Sequence, residues 1–183
     1  MLFQRRDPLR LQDRVRRFVW PQGGWLRSIR YFGKRVLRLG DSPHAIALGF
    51  ACGVGVSYTP FVGFHFVMSA VLAYFLRGNL IASAIGTAVG NPLTFPAMWW
   101  LAYQLGHLML GTHAGDLVLP GTEGAPPWYD VLPILKPMLL GAVPLGFASG
   151  FVAYLIVRAI VRTYQNARRR HILAGRSEPA GEE

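Results

Sequence analysis

The polar side chains that could do chemistry in this chain stand beside prolines, inside long apolar stretches. The first group is Ser57-Tyr58-Thr59-Pro60, followed by His65, and the second is Asn91-Pro92-Leu93-Thr94. Proline lacks an amide donor and clashes with the preceding helical turn, so each group predicts a helix break with unpaired backbone amides and carbonyls. Such amides, at the amino termini of half-helices, attract an anion rather than a metal ion.

Cations are scarce in the middle of the chain, so each one is a candidate phosphate ligand. Arg77 and Lys136 are the only Lys or Arg residues between positions 44 and 157, and Arg77 precedes Gly78-Asn79. We predict a site for an anionic headgroup in which Arg77, Asn79 and His65 lie near the breaks, formed by Thr59, Pro60, His65, Arg77, Asn79, Asn91, Pro92 and Thr94. The alternative, which the sequence leaves open, is that Asn91 and Thr59 only cap broken backbone.

Other chemistries find little support in the sequence. Segments 45–76 and 80–110 contain no Asp or Glu, whereas ion-coupled transport usually uses an intramembrane carboxylate. The spacing of His44, His65, His107 and His113 matches no zinc pattern, and the single Cys52 is typical of a small packing residue. Because no phosphate loop, dinucleotide fingerprint or nucleophile–base pair is present, we expect no enzyme activity, no metal and no cofactor.

The composition describes a membrane protein with charged ends. Of the 183 residues, 52% are hydrophobic and 15% are charged, yet the formal net charge is +10. A soluble domain carries about a quarter charged residues, and here residues 1–43 alone hold 11 Lys or Arg. Basic tails beside apolar spans are typical of cytoplasmic segments facing anionic lipid. We therefore expect membrane lipids with anionic headgroups as partners, and no nucleic acid.

Three apolar segments, residues 45–76, 80–110 and 131–161, must position the polar groups. The first two are 32 and 31 residues long, which as single helices would span about 46–48 Å against a hydrocarbon core of about 30 Å. We predict an all-α, polytopic integral membrane protein whose first two segments are each two half-helices joined by an elbow, re-entrant rather than simply kinked. A weak repeat aligns the two segments at an offset of 33 residues, pairing Gly53 with Gly86.

The distribution of charge predicts the topology and the domain limits. Residues 1–43 form a basic cytoplasmic arm, residues 44–163 the transmembrane domain, and residues 164–183 a disordered cytoplasmic tail. Loop 111–128 has two acids and no Lys or Arg, which places it outside. With both termini inside and one crossing by the third segment, residues 45–110 must cross a net odd number of times, so at least one element is re-entrant.

The arm itself contains an amphipathic pattern over residues 25–39. Trp25, Ile29, Phe32, Val36 and Leu39 share one helical face, opposite Arg27, Arg30, Lys34 and Arg38. This pattern predicts an interfacial helix whose Trp25, Arg27, Arg30, Lys34 and Arg38 contact the membrane surface. The alternative is a solvated helix packed on the protein. No apolar run precedes residue 45, so we expect the bacterial inner membrane without a secretory signal.

Four motifs resemble a bacterial membrane family known as DUF2062. They are the runs Ser42–Phe50, Thr59–His65, Arg77–Asn79 and Gly90–Thr94, and the resemblance covers about residues 30–165. Some members of that family look like fusions to glycosyltransferases that use polyprenyl-phosphate sugars, which implies lipid-carrier handling. Paired elbows are also similar to the architecture of DedA-type lipid scramblases.

Two functions from different classes follow. The first is transporting, scrambling or presenting an anionic lipid, such as a polyprenyl-phosphate carrier or a phospholipid. The second is a non-transporting membrane scaffold that docks a glycosyltransferase or an envelope-assembly complex. A homo-oligomer is compatible with both.

Overall fold

A computed structural model describes residues 25–112 and 127–176, and every regular element in these ranges is helical. The predictions for residues 1–24, for residues 113–126 of the external loop and for residues 177–183 lie outside the described residues. The all-α class is confirmed. The helices are α1 (Trp25–Leu37), α2 (Pro43–Val56), α3 (His65–Phe75), α4 (Leu80–Gly86), α5 (Phe95–Leu110) and α6 (Pro127–Arg176).

Each of the first two apolar segments is interrupted, as predicted. A first elbow, residues 57–64, separates α2 from α3. A 3-10 turn at Thr87–Val89 and a second elbow, residues 90–94, separate α4 from α5. Side-chain oxygens cap the starts of α2 and α4, where Ser42 Oγ accepts from the Ala45 amide (3.2 Å) and Asn79 Oδ1 accepts from the Ala82 amide (2.7 Å).

Helices α2 and α3 form an antiparallel hairpin. The chain after α3 returns to the start of α2, where the Asn79 amide donates to the Ala45 carbonyl at 2.8 Å. A Cβ added to Gly78 would lie 2.8 Å from the Gly49 nitrogen. The first elbow is therefore the tip of the hairpin, and α3 ends beside the first half of α2.

Helix α4 packs parallel to α2 at very short range. A Cβ on Gly53 would meet the Ser83 carbonyl and lie 2.6 Å from the Thr87 nitrogen, and one on Gly86 would meet the Phe50 carbonyl. Close approach of this kind, through small residues, is typical of helices packed in membranes.

The predicted offset of 33 residues relates the ends of the helical stretches before the elbows, Val56 and Val89, whereas the helices after the elbows start at His65 and Phe95, an offset of 30 residues. Residues 60–65 and 90–95 share the same succession of bend, turn and helix start. Pro60 corresponds to Gly90 and Pro92 to Val62, so the two prolines are not equivalent. The elbows therefore correspond in backbone geometry. Matches of Ala, Gly and Val between two apolar sequences do not reveal such a correspondence.

Helix α6 runs antiparallel to both α2 and α5 and contacts them in succession. Gln165 donates to the Asp41 carbonyl (3.0 Å), Gly146 lies against Gly55, and Gly141 lies against Ala102. Helix α5 thus continues along α6 beyond the level at which the hairpin ends. Helix α5 lies along the first half of α6, and α2 lies along the second half.

Helix α6 is longer than the sequence indicated. It continues through Pro133, Pro137 and Pro144 to Arg176, so the prediction of disorder is wrong for residues 164–176. Its stretch Leu132–Arg170 is 39 residues long and is the one helix among the described residues that is long and apolar enough to cross a membrane. The other apolar helices, Pro43–Val56, His65–Phe75 and Leu80–Val89, are shorter.

Small and polar side chains line the interior, and large apolar ones face outward. Ser57, Ser69, Ser83 and Thr87 are buried together with several alanines and glycines. Exposed large apolar residues occur on α3, α5 and α6, with Phe75 at 76%, Leu108 at 76% and Phe147 at 78% exposure. Among the described residues this distribution is the reverse of that in a water-soluble domain.

The carboxyl end of α1 differs from the predicted interfacial helix. Val36 is buried in a cluster with Ile46, Ala82, Ile85 and Val161, and Leu39 packs against that cluster. The prediction that the apolar face of residues 25–39 rests on lipid is therefore wrong for Val36 and Leu39, because the core contacts them. Arg30, Lys34 and Arg38 are exposed, while the side chains of Trp25 and Arg27 lie outside the described residues.

Candidate functional site

The two elbows adjoin each other. The first is the tip of the hairpin, and the second leads into α5. Ser57 is fully buried, and a Cβ on Gly90 would lie 2.8 Å from its Cβ. The His65 and Phe95 rings stack with centroids 5.4 Å apart. The elbows carry five of the eight predicted site residues, namely Thr59, Pro60, Asn91, Pro92 and Thr94, and a sixth, His65, directly follows the first elbow.

In the second elbow, Asn91 and Thr94 satisfy the backbone that Pro92 disrupts. Asn91 Oδ1 accepts from the amides of Leu93 (2.9 Å) and Thr94 (3.2 Å). Thr94 Oγ1 accepts from the Asn91 amide (3.0 Å) and donates to the Val89 carbonyl (2.6 Å). Both side chains therefore cap broken backbone within the chain, which is the alternative that the sequence left open.

In the first elbow, Thr59 and His65 bond to backbone in the same way. Thr59 Oγ1 donates to the Val56 carbonyl at 2.8 Å, and His65 Nε2 lies 2.9 Å from the Thr59 carbonyl. Because a carbonyl only accepts, Nε2 of His65 carries the proton in this contact. The His65 side chain is 5% exposed and stacks on the half-buried Phe95 ring, so it joins the first elbow to the start of α5.

Arg77 and Asn79 lie away from the elbows, at the opposite end of α3. The prediction that they lie near the breaks is wrong, because the 11 residues of α3 separate His65 from this turn by about 16 Å. Asn79 caps α4 and donates through Nδ2 to Asp41 Oδ2. Arg77 is exposed and has a φ of 58°, so its guanidinium is available at the turn between α3 and α4.

A row of polar rings on α5 was missed by the sequence analysis. Trp99 Nε1, Tyr103 Oη and His107 Nε2 are buried and have no hydrogen-bond partner among the described residues. They are spaced at i, i+4 and i+8, so they share one face of α5. The i, i+4, i+8 spacing of an indole, a phenol and an imidazole was the signal available in the sequence. Among the described residues no group of three His, Cys, Asp or Glu side chains could hold a metal ion.

An apolar groove runs along the first half of α6. It has a volume of about 1090 Å³, and its lining includes Met109 of α5 and Leu140, Val143 and Phe147 of α6. Lys136 is the one charged residue in that lining. A groove of this size and polarity fits hydrocarbon chains with one anionic group.

Sequence comparison assigns the chain to a family without assigning an activity. No curated protein and no solved structure matches it. A family model described as "Uncharacterized protein conserved in bacteria (DUF2062)" matches residues 26–170, which include both elbows and α6 through Arg170. The match covers well over half of the sequence, and the chain therefore belongs to the DUF2062 family of bacterial proteins.

Proposed function

We propose that this protein is a polytopic bacterial inner-membrane protein that moves or presents an anionic lipid. The observation that carries the proposal is the meeting of two polar helix breaks inside a helical body whose outer surface is apolar. Irregular backbone at membrane depth is tolerated only where protein buries it or where it lines a wet cavity. Paired interrupted helices at corresponding positions are also the arrangement found at transporter binding sites.

The proposed topology makes the hairpin α2–α3 re-entrant from the cytoplasmic side. Helices α4 and α5 then form one interrupted span, and α6 crosses back. The support is the return of Asn79 to Ala45, together with the continuation of α5 along α6 past the hairpin tip. This topology satisfies the requirement that residues 45–110 cross a net odd number of times.

The elbows meet at a level that suits a midplane site. Ser57 and Gly90 adjoin next to Gly55, which contacts Gly146, and residue 146 is the middle of the apolar segment 131–161. A helix break at this depth would offer polar contacts to a lipid headgroup halfway across the bilayer. The capping bonds of Asn91 and Thr94 keep that backbone satisfied when no ligand is bound.

Positive charge at both ends of the proposed lipid path across the membrane supports an anionic ligand. Arg77 lies exposed at the turn that the proposed topology puts in the cytoplasm, where it could receive a phosphate group. On the other side Lys136 accompanies the apolar groove of α6. The exposed Arg30, Lys34 and Arg38 of α1 would add affinity for anionic lipid.

Transport can be tested with purified protein in liposomes containing a fluorescent phosphatidylglycerol. The probe in the outer leaflet is bleached by an added reductant, so protein-dependent flipping increases the bleached fraction. Arg77→Gln should slow flipping, because it removes the one cation at the inner turn. Arg162→Gln, an exposed cation on α6, is the matched control and should flip at the wild-type rate.

A labelled phosphatidylcholine separates anion selectivity from general bilayer disturbance. Faster flipping of phosphatidylglycerol than of phosphatidylcholine is the expected result. If folded protein flips neither lipid, the transport proposal falls. The scaffold function, with α1 and the basic extension of α6 as the docking surfaces, would then be favoured.

A further inference from the structure

The apolar groove on the first half of α6 has the length of one leaflet of a bilayer. Its lining includes Lys136, Val143 and Phe147, whose spacings of seven and four residues put them on one side of the helix. Residue 146 is the middle of the apolar segment 131–161, and Lys136 precedes it by ten residues, or about 15 Å at 1.5 Å per residue. That length is half of a hydrocarbon core of about 30 Å. Lys136 therefore stands at the depth of lipid headgroups, and Phe147 at the depth where the acyl chains of one leaflet end.

In the part of the chain that the structure describes, the groove opens toward the outer surface. Met109, Val143 and Phe147 of its lining are exposed, whereas Gly141 and Gly146 of α6 contact α5 and α2. Acyl chains, rather than water, surround such a surface in a membrane. The volume of about 1090 Å³ slightly exceeds the range of about 300–1,000 Å³ typical of pockets for small molecules. The groove therefore suits the hydrocarbon chains of a lipid.

Lys136 requires a negative partner that the apolar segments of the chain do not contain. Segments 45–110 and 131–161 have no Asp or Glu, and Lys136 is the one charged residue in the lining of the groove. A second copy of the chain, packed against the groove by its own apolar segments, would bring no carboxylate to the ammonium group. A lipid phosphate at the headgroup depth provides both the charge and the hydrogen-bond acceptors.

We infer that the groove holds an anionic phospholipid, with its phosphate on Lys136 and its acyl chains between Met109 and Phe147. The chains then end at the level of the elbows, because Gly146 precedes Phe147 and contacts Gly55. The assignment of this lipid to the outer leaflet rests on the proposed function, whereas its binding in the groove does not.

The inference can be tested by photo-crosslinking of the purified full chain in detergent. The probe is a phosphatidylglycerol with a diazirine at the end of one acyl chain, and mass spectrometry of the digested protein locates the label. We expect the label mainly between Val143 and Phe147. Competition with unlabelled phosphatidylglycerol and with a diacylglycerol of the same chains gives their relative affinities. Phosphatidylglycerol should compete about tenfold better, because only its phosphate forms a charge-assisted hydrogen bond.

Two sets of variants test the phosphate contact and the chain contact separately. Lys136→Gln should lower the affinity for phosphatidylglycerol about tenfold, and Lys136→Arg should retain most of it. Val143→Trp fills the groove and should abolish the labelling there. Val152→Trp is the matched control and should be labelled like the wild type, because Val152 is exposed on α6 but is not part of the lining. Thermal unfolding of each variant without added lipid shows whether it is folded.

Three results would overturn the inference. The first is labelling spread evenly over the exposed apolar surfaces of α3, α5 and α6, which would indicate ordinary contact with surrounding lipid. The second is an unchanged affinity of folded Lys136→Gln for phosphatidylglycerol. The third is a dimer in detergent that Val143→Trp dissociates, because the groove would then be a contact between two copies of the chain.

The groove site and the proposed function can fail independently, because binding in detergent requires no transport. Labelling of the groove in a protein that flips no lipid in liposomes would refute transport and leave the site standing. Flipping in liposomes without preferential labelling of the groove would refute the site and leave transport standing.

Discussion

At the scale of single residues, Arg77 combines backbone strain with an exposed charge. Its φ of 58° is a left-handed conformation that glycine usually adopts at the end of a helix. The Gly78 amide donates to the Ala73 carbonyl (2.7 Å) and the Arg77 amide to the Tyr74 carbonyl (3.1 Å), which completes the usual helix-ending motif. A strained arginine at this position is consistent with selection for its guanidinium.

Arg77→Gly should therefore stabilise the protein while impairing the proposed lipid transport. Relief of the positive φ is expected to add about 1 kcal/mol to the free energy of unfolding. Thermal or denaturant unfolding in detergent measures the change, and Arg77→Ala, which keeps the strain, is the control. Equal stabilities of the glycine and alanine variants would refute the role of strain.

Thr94 makes a different kind of contribution, through its hydroxyl group in the second elbow. Thr94→Val keeps the side-chain shape but removes the bonds to Val89 and Asn91, which should cost about 1–3 kcal/mol of stability. Thr94→Ser retains the hydroxyl and should lose much less. Unfolding curves compare the two variants, and similar losses for both would show that the methyl packing of Thr94 matters more than its hydrogen bonds.

At the scale of elements, the parallel contact of α2 and α4 depends on glycine. Gly53→Ala would force a Cβ into the backbone of α4 near Ser83 and Thr87, so we expect a loss of at least about 1–3 kcal/mol, as in other overpacked sites. Gly33→Ala is the control, because no atom of the described residues lies within 4 Å of a Cβ at that position of α1. It should be neutral or slightly stabilising, given the higher helix propensity of alanine. A tolerated Gly53→Ala in unfolding experiments would contradict this packing.

At the scale of the whole molecule, the arrangement of helices predicts which turns can be labelled from outside the cell. In a Cys52→Ser background, Leu76→Cys lies at the turn after α3 and Thr112→Cys just after α5, and both positions are exposed. The proposed topology predicts that an impermeant maleimide labels only Thr112→Cys in intact cells. Leu76→Cys should react after permeabilisation. Labelling of Leu76→Cys in intact cells would rule out a hairpin re-entrant from the cytoplasm.

The sequence alone determined the helical class, the two interruptions and the residues that surround them. Proline next to glycine and hydroxyl side chains breaks a helix locally, and segments of 32 and 31 residues exceed what a bilayer requires of one helix. These are effects of neighbouring residues and of length, so a sequence expresses them directly. The family motifs and the possibility that Asn91 caps broken backbone could be recognised for the same reason.

Only the tertiary structure decided which segment folds back and which continues. Nothing local distinguishes the first elbow from the second, because the direction of each following helix depends on contacts with α6 and on the bond from Asn79 to Ala45. The same long-range packing separates Arg77 from the elbows and buries Val36 in the core. It also leaves polar atoms of Trp99, Tyr103 and His107 without partners in the part of the chain that the structure describes, since pairing across a fold is settled by the positions of distant helices.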